Sequence, residues 1–246
     1  MITIRPAASI HREEGGWFSA RWHFSFGGYH DPEWMGLGPL RVLNDDRLVP
    51  GATWPLHPHR DIEGITYVVE GTFRHEDSAG NGGILRAGAV QRATLGSGMW
   101  HSEQNGSESE PLRFLQLWIL PDTADLEPSV EQREYTQADR TNRLLHVLGP
   151  VGSNAGGDVV SVHQDAGMYI ARLEPGVEAA HPASPGRAAY VYLAEGTATL
   201  GATEMANGDA AVVRDEPAGL RGGPEGAELV VVDVPLHWTP VGVWAT

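Results

Sequence analysis

The chain has 246 residues, 41% of them hydrophobic, and it contains no cysteine. This length can bury the core of one large domain or of two smaller ones, and the lack of cysteine excludes disulfides, thiolate metal sites and cysteine nucleophiles. The formal net charge of −15 disfavours direct binding to nucleic acid. No apolar run reaches the length of a membrane span, and the N-terminus lacks the apolar core of a signal peptide. We therefore expect a cytoplasmic protein that contacts neither nucleic acid nor membrane.

The first half of the chain predicts short β-strands. Its apolar runs are rich in Val, Ile, Thr, Tyr and Trp and are separated by glycines at intervals of about 8–12 residues, which is typical of a β-sandwich or barrel. In this half, Asp45 and Asp46 are interpreted as turn acids, and His75 is interpreted as a solvated hairpin residue. The predicted strands cover residues 17–26, 40–49, 64–71, 72–77, 88–94, 98–103 and 112–120.

A polar segment after residue 120 lacks β-branched runs and predicts a surface connector, after which strands resume. The strings TYVVEGTFRH and VYLAEGTATL, one in each half, form a faint repeat of about 125 residues, which indicates duplication of one β-module. The simplest architecture is all-β, with two tandem jelly-roll barrels in domains 1–135 and 136–246. The predicted strands of the second half cover residues 143–149, 158–163, 167–176, 188–196, 197–202, 209–214 and 228–235.

Two pairs of polar residues at strand positions carry the chemistry. In HPHRDIEGITYVVEG, His57 and His59 are two residues apart, and His101 and Glu103 have the same spacing in GSGMWHSEQN. Side chains two apart on a strand share a face, so the two pairs converge if their strands are neighbours. Three neutral imidazoles and a carboxylate suit Fe, Mn, Ni, Cu or Zn.

The spacing alone is a weak indicator of a metal. His11 and Glu13 repeat it in a segment that we expect to be solvated, and a single pair of this kind is more often structural than ligating. The combination favours a metal because both pairs lie on strands and the second follows the backbone-permissive LGSG. The second half offers only His181 for coordination, so we expect no metal there.

The motifs around these pairs carry a family resemblance. G-x5-H-x-H-x3-E-x7-G (residues 51–71) looks like the first cupin motif, and G-x2-H-x3-N (residues 98–105) looks like the core of the second. The longer strings HPHRDIEGITYVVEGTFRHEDSAGN, GSGMWHSEQN and FLQLWILPD resemble the pirin family, most closely its bacterial quercetinase-type members. This resemblance covers nearly the whole chain and is densest in residues 17–135.

The resemblance implies a bicupin with a metal-binding N-terminal cupin domain and a degenerate C-terminal cupin domain. It implies one divalent transition metal, usually Fe(2+), with Mn, Ni, Co, Cu or Zn as alternatives. Glu63 matches a motif glutamate that the family does not use as a ligand. The implied ligands are His57, His59, His101 and Glu103.

Pirin-like proteins imply two alternative functions. One is an enzyme, a quercetin 2,3-dioxygenase that cleaves a flavonol with O2; the other is a non-enzymatic regulator that binds a transcription factor or a metabolic enzyme. For the enzyme, we predict that Glu103 is both ligand and catalytic base, and that Phe24, Phe26 and Met35 line the substrate pocket. The aromatic segment 17–34 alternatively forms a core strand that leads into a packed loop. We expect a monomer.

Overall fold

A computed structural model describes residues 1–153, 158–182 and 184–245 of the chain. The regular structure in these residues is almost entirely β, which confirms the predicted fold class. The chain divides into two compact units. The N-terminal unit comprises His11–Tyr135, Val160–Gln164 and Thr239–Thr246, and the C-terminal unit comprises Met1–Ile10, Thr136–Val159 and Asp165–Trp238. The domain limits 1–135 and 136–246 stay a prediction.

Twelve strands precede residue 136, and eight strands with one short helix follow in the described part of the chain. The first set is β1 (Ile2–Arg5), β2 (His11–Glu14), β3 (Phe18–Trp22), β4 (Leu40–Leu48), β5 (Thr53–His59), β6 (Glu63–Glu70), β7 (Thr72–Asp77), β8 (Gly82–Arg86), β9 (Val90–Thr94), β10 (Met99–Asn105), β11 (Leu112–Ile119) and β12 (Ser129–Arg133). The second set is α1 (Gln137–Arg140), β13 (Leu145–Pro150), β14 (Val160–Val162), β15 (Gly167–Leu173), β16 (Glu178–His181), β17 (Arg187–Leu200), β18 (Thr203–Ala206), β19 (Ala210–Arg214) and β20 (Ala218–Pro235). Short 3-10 turns cover Ala7–Ser9 and Gly242–Trp244. Among the residues described, no helix is long and apolar enough to cross a membrane.

The N-terminal unit consists of two antiparallel sheets that pack face to face. One has the strand order β12-β9-β6-β11-β4-β3-β2, and the other has the order β5-β10-β7-β8. Phe73 on β7 and Phe114 on β11 meet edge to face, with ring centroids 5.0 Å apart. Leu85 on β8 and Val68 on β6 belong to the same buried cluster. Apolar side chains from both sheets therefore fill one core, as in a jelly roll.

The C-terminal unit is built on one antiparallel sheet with the strand order β1-β19-β17-β20-β15-β13, to which β16 and β18 add at β20 and β17. Its long strands β17 and β20 pair with each other over most of β17. The sequence predicted two strands here, 188–196 and 197–202, joined by a turn. The structure instead has one strand that bends at Gly196, where φ is +78° and the register shifts. A β-bulge accommodates the positive φ of this glycine without ending the strand.

Several segments differ from their predicted structure. The predicted strand 17–26 ends at Trp22, after which Phe26 pairs with Tyr29 as an isolated bridge. His11 lies in β2, and its ring stacks on Tyr29 with centroids 4.3 Å apart, so this segment is not merely solvated. The predicted connector contains β12 and α1. The helix begins at Thr136, which forms a capping box with Asp139.

Asp45 and Asp46 lie within β4 and are buried, so their interpretation as turn acids is wrong. The Nε and Nη2 atoms of Arg113 on β11 donate to the two carboxylate oxygens of Asp45 at 2.8 and 2.7 Å. This paired geometry offsets the desolvation of both charges. The run of Asn and Asp in LNDD indicated a turn. In the structure this run continues β4, where Asp45 pairs with Arg113 of the neighbouring strand.

We predict that Asp45→Ala lowers the free energy of unfolding by about 3–5 kcal/mol, because it leaves the buried Arg113 guanidinium without its carboxylate. The control is Glu76→Ala, which removes an exposed ion pair with Arg74 and should cost no more than about 1 kcal/mol. Urea denaturation measures both. Equal losses in the two variants would contradict the stabilising role of the Arg113–Asp45 pair.

Candidate metal centre

The candidate metal centre is formed where β5 and β10 pair. Pro58 can occupy this edge strand because it needs to donate no ladder hydrogen bond. The antiparallel register places His57 opposite His101, and His59 opposite Met99. Between His101 and Glu103 the register shifts, so that Glu103 faces Trp54 rather than the residue that a regular ladder would supply. A bulge of this kind redirects side chains beside a functional site.

The pairing brings three imidazoles together. His57, His59 and His101 each offer a ring nitrogen, and these atoms lie within 4.8 Å of one another. The ring centroids are 4.5 Å apart for His57 and His101, 4.8 Å for His57 and His59, and 5.1 Å for His59 and His101. We call these residues the histidine triad.

The surroundings keep His59 and His101 neutral. Burial, together with the nearby His57, lowers the pKa of His59 to about 4. Burial and the neighbouring imidazoles lower the pKa of His101 to about 2. His57 Nδ1 lies 2.7 Å from the carbonyl oxygen of Pro55, which only accepts, so Nδ1 donates there and Nε2 is the ring nitrogen left for a ligand.

The donor set fits a divalent cation. Both ring nitrogens of His101 are buried and have no hydrogen-bond partner among the described residues. A buried imidazole without a partner is costly unless another group, such as a metal ion, occupies its lone pair. Neutral imidazoles are the protonation state that a metal requires.

Glu103 lies beside the triad but outside its 4.8 Å group. It is buried on β10 and lines the same cavity. Burial raises its pKa to about 7 in the cation-free protein. Asp46, which sequence reasoning did not assign to the site, lines this cavity too. Its pKa is raised well above the ordinary range, first by burial and then by the charges of Glu103 and Asp45.

The cavity has a volume of about 90 Å³. Of the three side chains predicted for the substrate pocket, Phe26 lines it, whereas Phe24 is buried in the core and Met35 is exposed, and neither lines the cavity. The residues that line it are Phe26, Asn44, Asp46, Trp54, His57, His59, His101, Glu103, Phe114, Gln116 and Trp118. The side of the cavity opposite the triad is formed by alternate residues of β4 and β11. The alternation in LNDD and in RFLQLWI is the sequence signal that could have indicated them.

Comparison with known proteins assigns the family. The model for the family described as Pirin matches residues 4–119, and the model for the quercetinase C-terminal cupin domain matches residues 151–234. A curated relative, the quercetin 2,3-dioxygenase of Escherichia coli K12, is 34% identical over 96% of this chain and 99% of its own. This chain belongs to the pirin family. It has the bicupin fold of that family, with two cupin domains.

Other relatives agree with this assignment. A pirin-like protein of Caulobacter vibrioides is 35% identical over 95% of this chain and 99% of its own. The crystal structure of YhhW from Escherichia coli superposes with a TM-score of 0.88 at 32% identity, covering 98% of this chain and 99% of that one. The structure of the bacterial pirin YhhW in complex with nickel(II) gives a TM-score of 0.87, also at 32% identity, and covers 98% of this chain and 100% of that one.

Glu63, the motif glutamate of this pirin, lies on the opposite face of its sheet. On β11, Gln116 and Trp118 line the cavity, and they pair with Thr66 and Gly64 of β6. Glu63 is one residue from Gly64, so strand alternation directs it to the outer face. There its carboxylate accepts from Thr94 at 2.9 Å and lies 2.7 Å from Nδ1 of His163.

His75 is buried, so its interpretation as a solvated hairpin residue is wrong. It lies on β7 opposite Glu103 of β10, and its ring centroid is 5.4 Å from that of His101. Burial lowers its pKa. A fourth imidazole therefore lies next to His101 of the triad. The string FRHED does not reveal it, because a place beside a predicted hairpin turn does not say whether the side chain is buried.

The turn that follows His59 forms hydrogen bonds with residues near the end of the chain, which belong to the N-terminal unit. Asp61 is buried, with φ at +51°, and its carboxylate accepts from the backbone N–H groups of Asp125 and Val243. Its carbonyl accepts from Nε1 of Trp244 at 2.9 Å. These bonds support the strained turn two residues beyond His59.

Among its described residues, the C-terminal unit has no comparable cluster. Within the described residues, the triad is the one group of three or more His, Asp or Glu side chains with ligand atoms this close. His181 instead lies 3.7 Å from Asp233 and packs on Tyr169, with ring centroids 4.8 Å apart.

We predict a pH-dependent contribution of His101 to the stability of the metal-free protein. Its pKa is about 2 when folded and about 6.5 when unfolded, so its stabilisation is complete above pH 6.5 and is lost as the pH falls toward 2. The melting temperature of wild type relative to that of His101→Gln should therefore fall as the pH falls from 6.5 to 4.

The control for this measurement is His30→Gln, since His30 is exposed. Glu103 titrates in an overlapping range with the opposite sign, because its pKa is raised. Both proteins retain Glu103, so the difference isolates His101. A difference that stays constant with pH would contradict a buried, neutral His101.

Proposed function

We propose that this pirin is a metal-dependent quercetin 2,3-dioxygenase, which cleaves a flavonol with O2. The observation that carries the proposal is the cluster of three imidazoles, with His101 buried and without a partner among the described residues, in a cavity with aromatic walls and a buried carboxyl group. The curated relative from Escherichia coli named as a quercetin 2,3-dioxygenase supports it. So does the match of residues 151–234 to the quercetinase C-terminal cupin domain.

In this proposal His57, His59, His101 and Glu103 hold one divalent transition metal, with iron as the expected ion. Nickel is an alternative that the complex of the related YhhW supports. A cation held there would supply Lewis-acid chemistry, which would lower the pKa of a substrate oxygen.

Glu103 is the proposed base. A flavonol must lose its 3-hydroxyl proton before its ring can react with O2. The triad nitrogens that face the cavity are committed as ligands, whereas a carboxylate with one oxygen on the metal can accept a proton on the other. Glu103 is a buried carboxyl group that lines the same cavity as the triad, so it is placed to act as a general base there.

Aromatic side chains orient the substrate and exclude water. Trp118 meets His59 edge to face with centroids 4.7 Å apart, and Phe26 contacts Trp118 at 5.3 Å. Together with Trp54 they form flat apolar walls next to the triad. Such walls suit a planar ring system.

We predict one tightly bound transition metal per chain, with no ligand in residues 140–246. Ala substitutions of His57, His59 or His101 should abolish most of the metal content, because each removes one direct bond to the ion. Glu63→Gln is the control and should keep near wild-type content, since Glu63 lies on the outer face of its sheet. Elemental analysis of protein purified without a polyhistidine tag measures the content. Equal loss in the Glu63 variant, or a second equivalent of metal, would contradict the assignment.

We predict that Glu103→Gln lowers quercetin turnover by about 10²–10⁴-fold, the usual contribution of a general base. Metal content, measured on the same samples, separates lost catalysis from lost ligation, and Glu103→Asp should recover part of the rate. A Gln variant that keeps its metal and the wild-type rate would refute the base role. If wild type loaded with Fe, Mn, Ni, Co or Cu never consumes quercetin, the regulatory function replaces the enzymatic one.

A further inference from the structure

The cavity has a polar wall opposite the histidine triad. Asn44 and Asp46 are two residues apart on β4, so both project from one face of the seven-stranded sheet. Asn44 stands directly opposite Gln116 of β11 in the ladder, and Asp46 stands opposite Phe114. All four side chains line the cavity. The triad lines it from β5 and β10 of the other sheet.

This wall presents hydrogen-bond acceptors that the protein does not use. Oδ1 of Asn44 and Oδ1 of Asp46 are buried and have no hydrogen-bond partner in the described part of the chain. Gln116 differs, because Thr66 Oγ1 donates to its Oε1 at 2.9 Å. Buried acceptors are normally paired, so two adjacent unpaired ones that face a cavity indicate a ligand that donates.

The surrounding chemistry narrows the ligand class. Unpaired acceptor oxygens disfavour a phosphate or carboxylate ligand, whose own oxygens accept, whereas a neutral hydroxyl can donate to either oxygen. Phe26, Trp54 and Trp118 favour a flat ring. The volume of about 90 Å³ is smaller than the ~150 Å³ of a cavity that holds benzene, so one ring edge can enter while the rest of a larger molecule stays in the mouth.

We propose that Asn44 and Asp46 determine specificity by accepting hydrogen bonds from ring hydroxyls of a polyhydroxylated aromatic substrate. This deepens the dioxygenase function proposed above and rests on it. One substrate oxygen faces the triad while hydroxyl hydrogens on the same ring edge reach the opposite wall. O-methylation of those hydroxyls removes the donors and leaves both acceptors unpaired, which a site built for hydrogen bonding penalises.

The test compares quercetin with its derivative methylated at every hydroxyl except the 3-hydroxyl. Dissociation constants are measured by calorimetry on zinc-loaded protein without O2, so that no turnover occurs. Wild type should bind quercetin at least about tenfold more tightly than the methylated compound, the ratio expected from one or two neutral hydrogen bonds.

Asn44→Leu and Asp46→Leu should each reduce this ratio toward one by weakening quercetin binding alone, because each substitution removes the acceptor at its position. Arg47→Gln is the matched control, because Arg47 is exposed and adjacent to Asp46 on β4, where alternation turns it to the other face; it should keep the wild-type ratio. Thermal melts establish that each variant is folded, and two independent variants keep the test valid if one is not.

A wild-type ratio that persists in both variants would overturn the proposal, since the selectivity would then come from the shape of the cavity. Failure of the dioxygenase function gives a different result. If the variants reduce the preference for quercetin but the protein consumes no quercetin in O2, the role of Asn44 and Asp46 is supported and the dioxygenase function is rejected. If the protein consumes quercetin but neither variant alters the ratio of dissociation constants, the dioxygenase function is supported and the role of Asn44 and Asp46 is rejected. If quercetin does not bind, both proposals are rejected.

Discussion

The antiparallel pairing of β5 with β10 is the constraint on which the site depends. It places His57 opposite His101, residues that are far apart in the chain, and the alternation of side chains then adds His59 and Glu103 to the same face. The register shift after His101 separates Glu103 from the tight group of three nitrogens while leaving it in the cavity. A slip of one residue in this pairing would send His57 and His59 to the face opposite His101 and Glu103.

Burial then sets the chemistry of these side chains. The same low-polarity surroundings act in opposite directions on bases and acids: they lower the pKa values of His59 and His101 and raise that of Glu103. The triad is thereby ready to ligate, and the carboxyl group can hold or release a proton near neutral pH. Asn44 and Asp46 add buried acceptors to this cavity. Such unsatisfied groups destabilise the fold, which is expected where a ligand completes the hydrogen bonding.

The two units use related folds for different purposes. In the N-terminal unit the two sheets share a core around Phe73 and Phe114, and the cavity lies beside it. The C-terminal unit keeps an extensive sheet around β17 and β20, but His181 lies beside Asp233 and Tyr169 rather than in a cluster of ligands. A cupin sheet can therefore keep its packing without such a cluster, because the core positions and the site positions are different residues.

The all-β class, most strands, the family and the two pairs of residues that meet at the site could be predicted from the sequence alone. This was possible because strand alternation is a local property: H-x-H and H-x-E each put both side chains on one face. Sequence reasoning missed the wall opposite the triad, reading Asp46 as a turn acid and His75 as solvated, and it placed Phe24 and Met35 in a pocket that the structure lines with other side chains. Alternation says which residues share a face but not which face is buried or what lies across from it. Only the packing of one sheet on the other decided that, because the residues that meet there come from strands with no regular spacing in the chain.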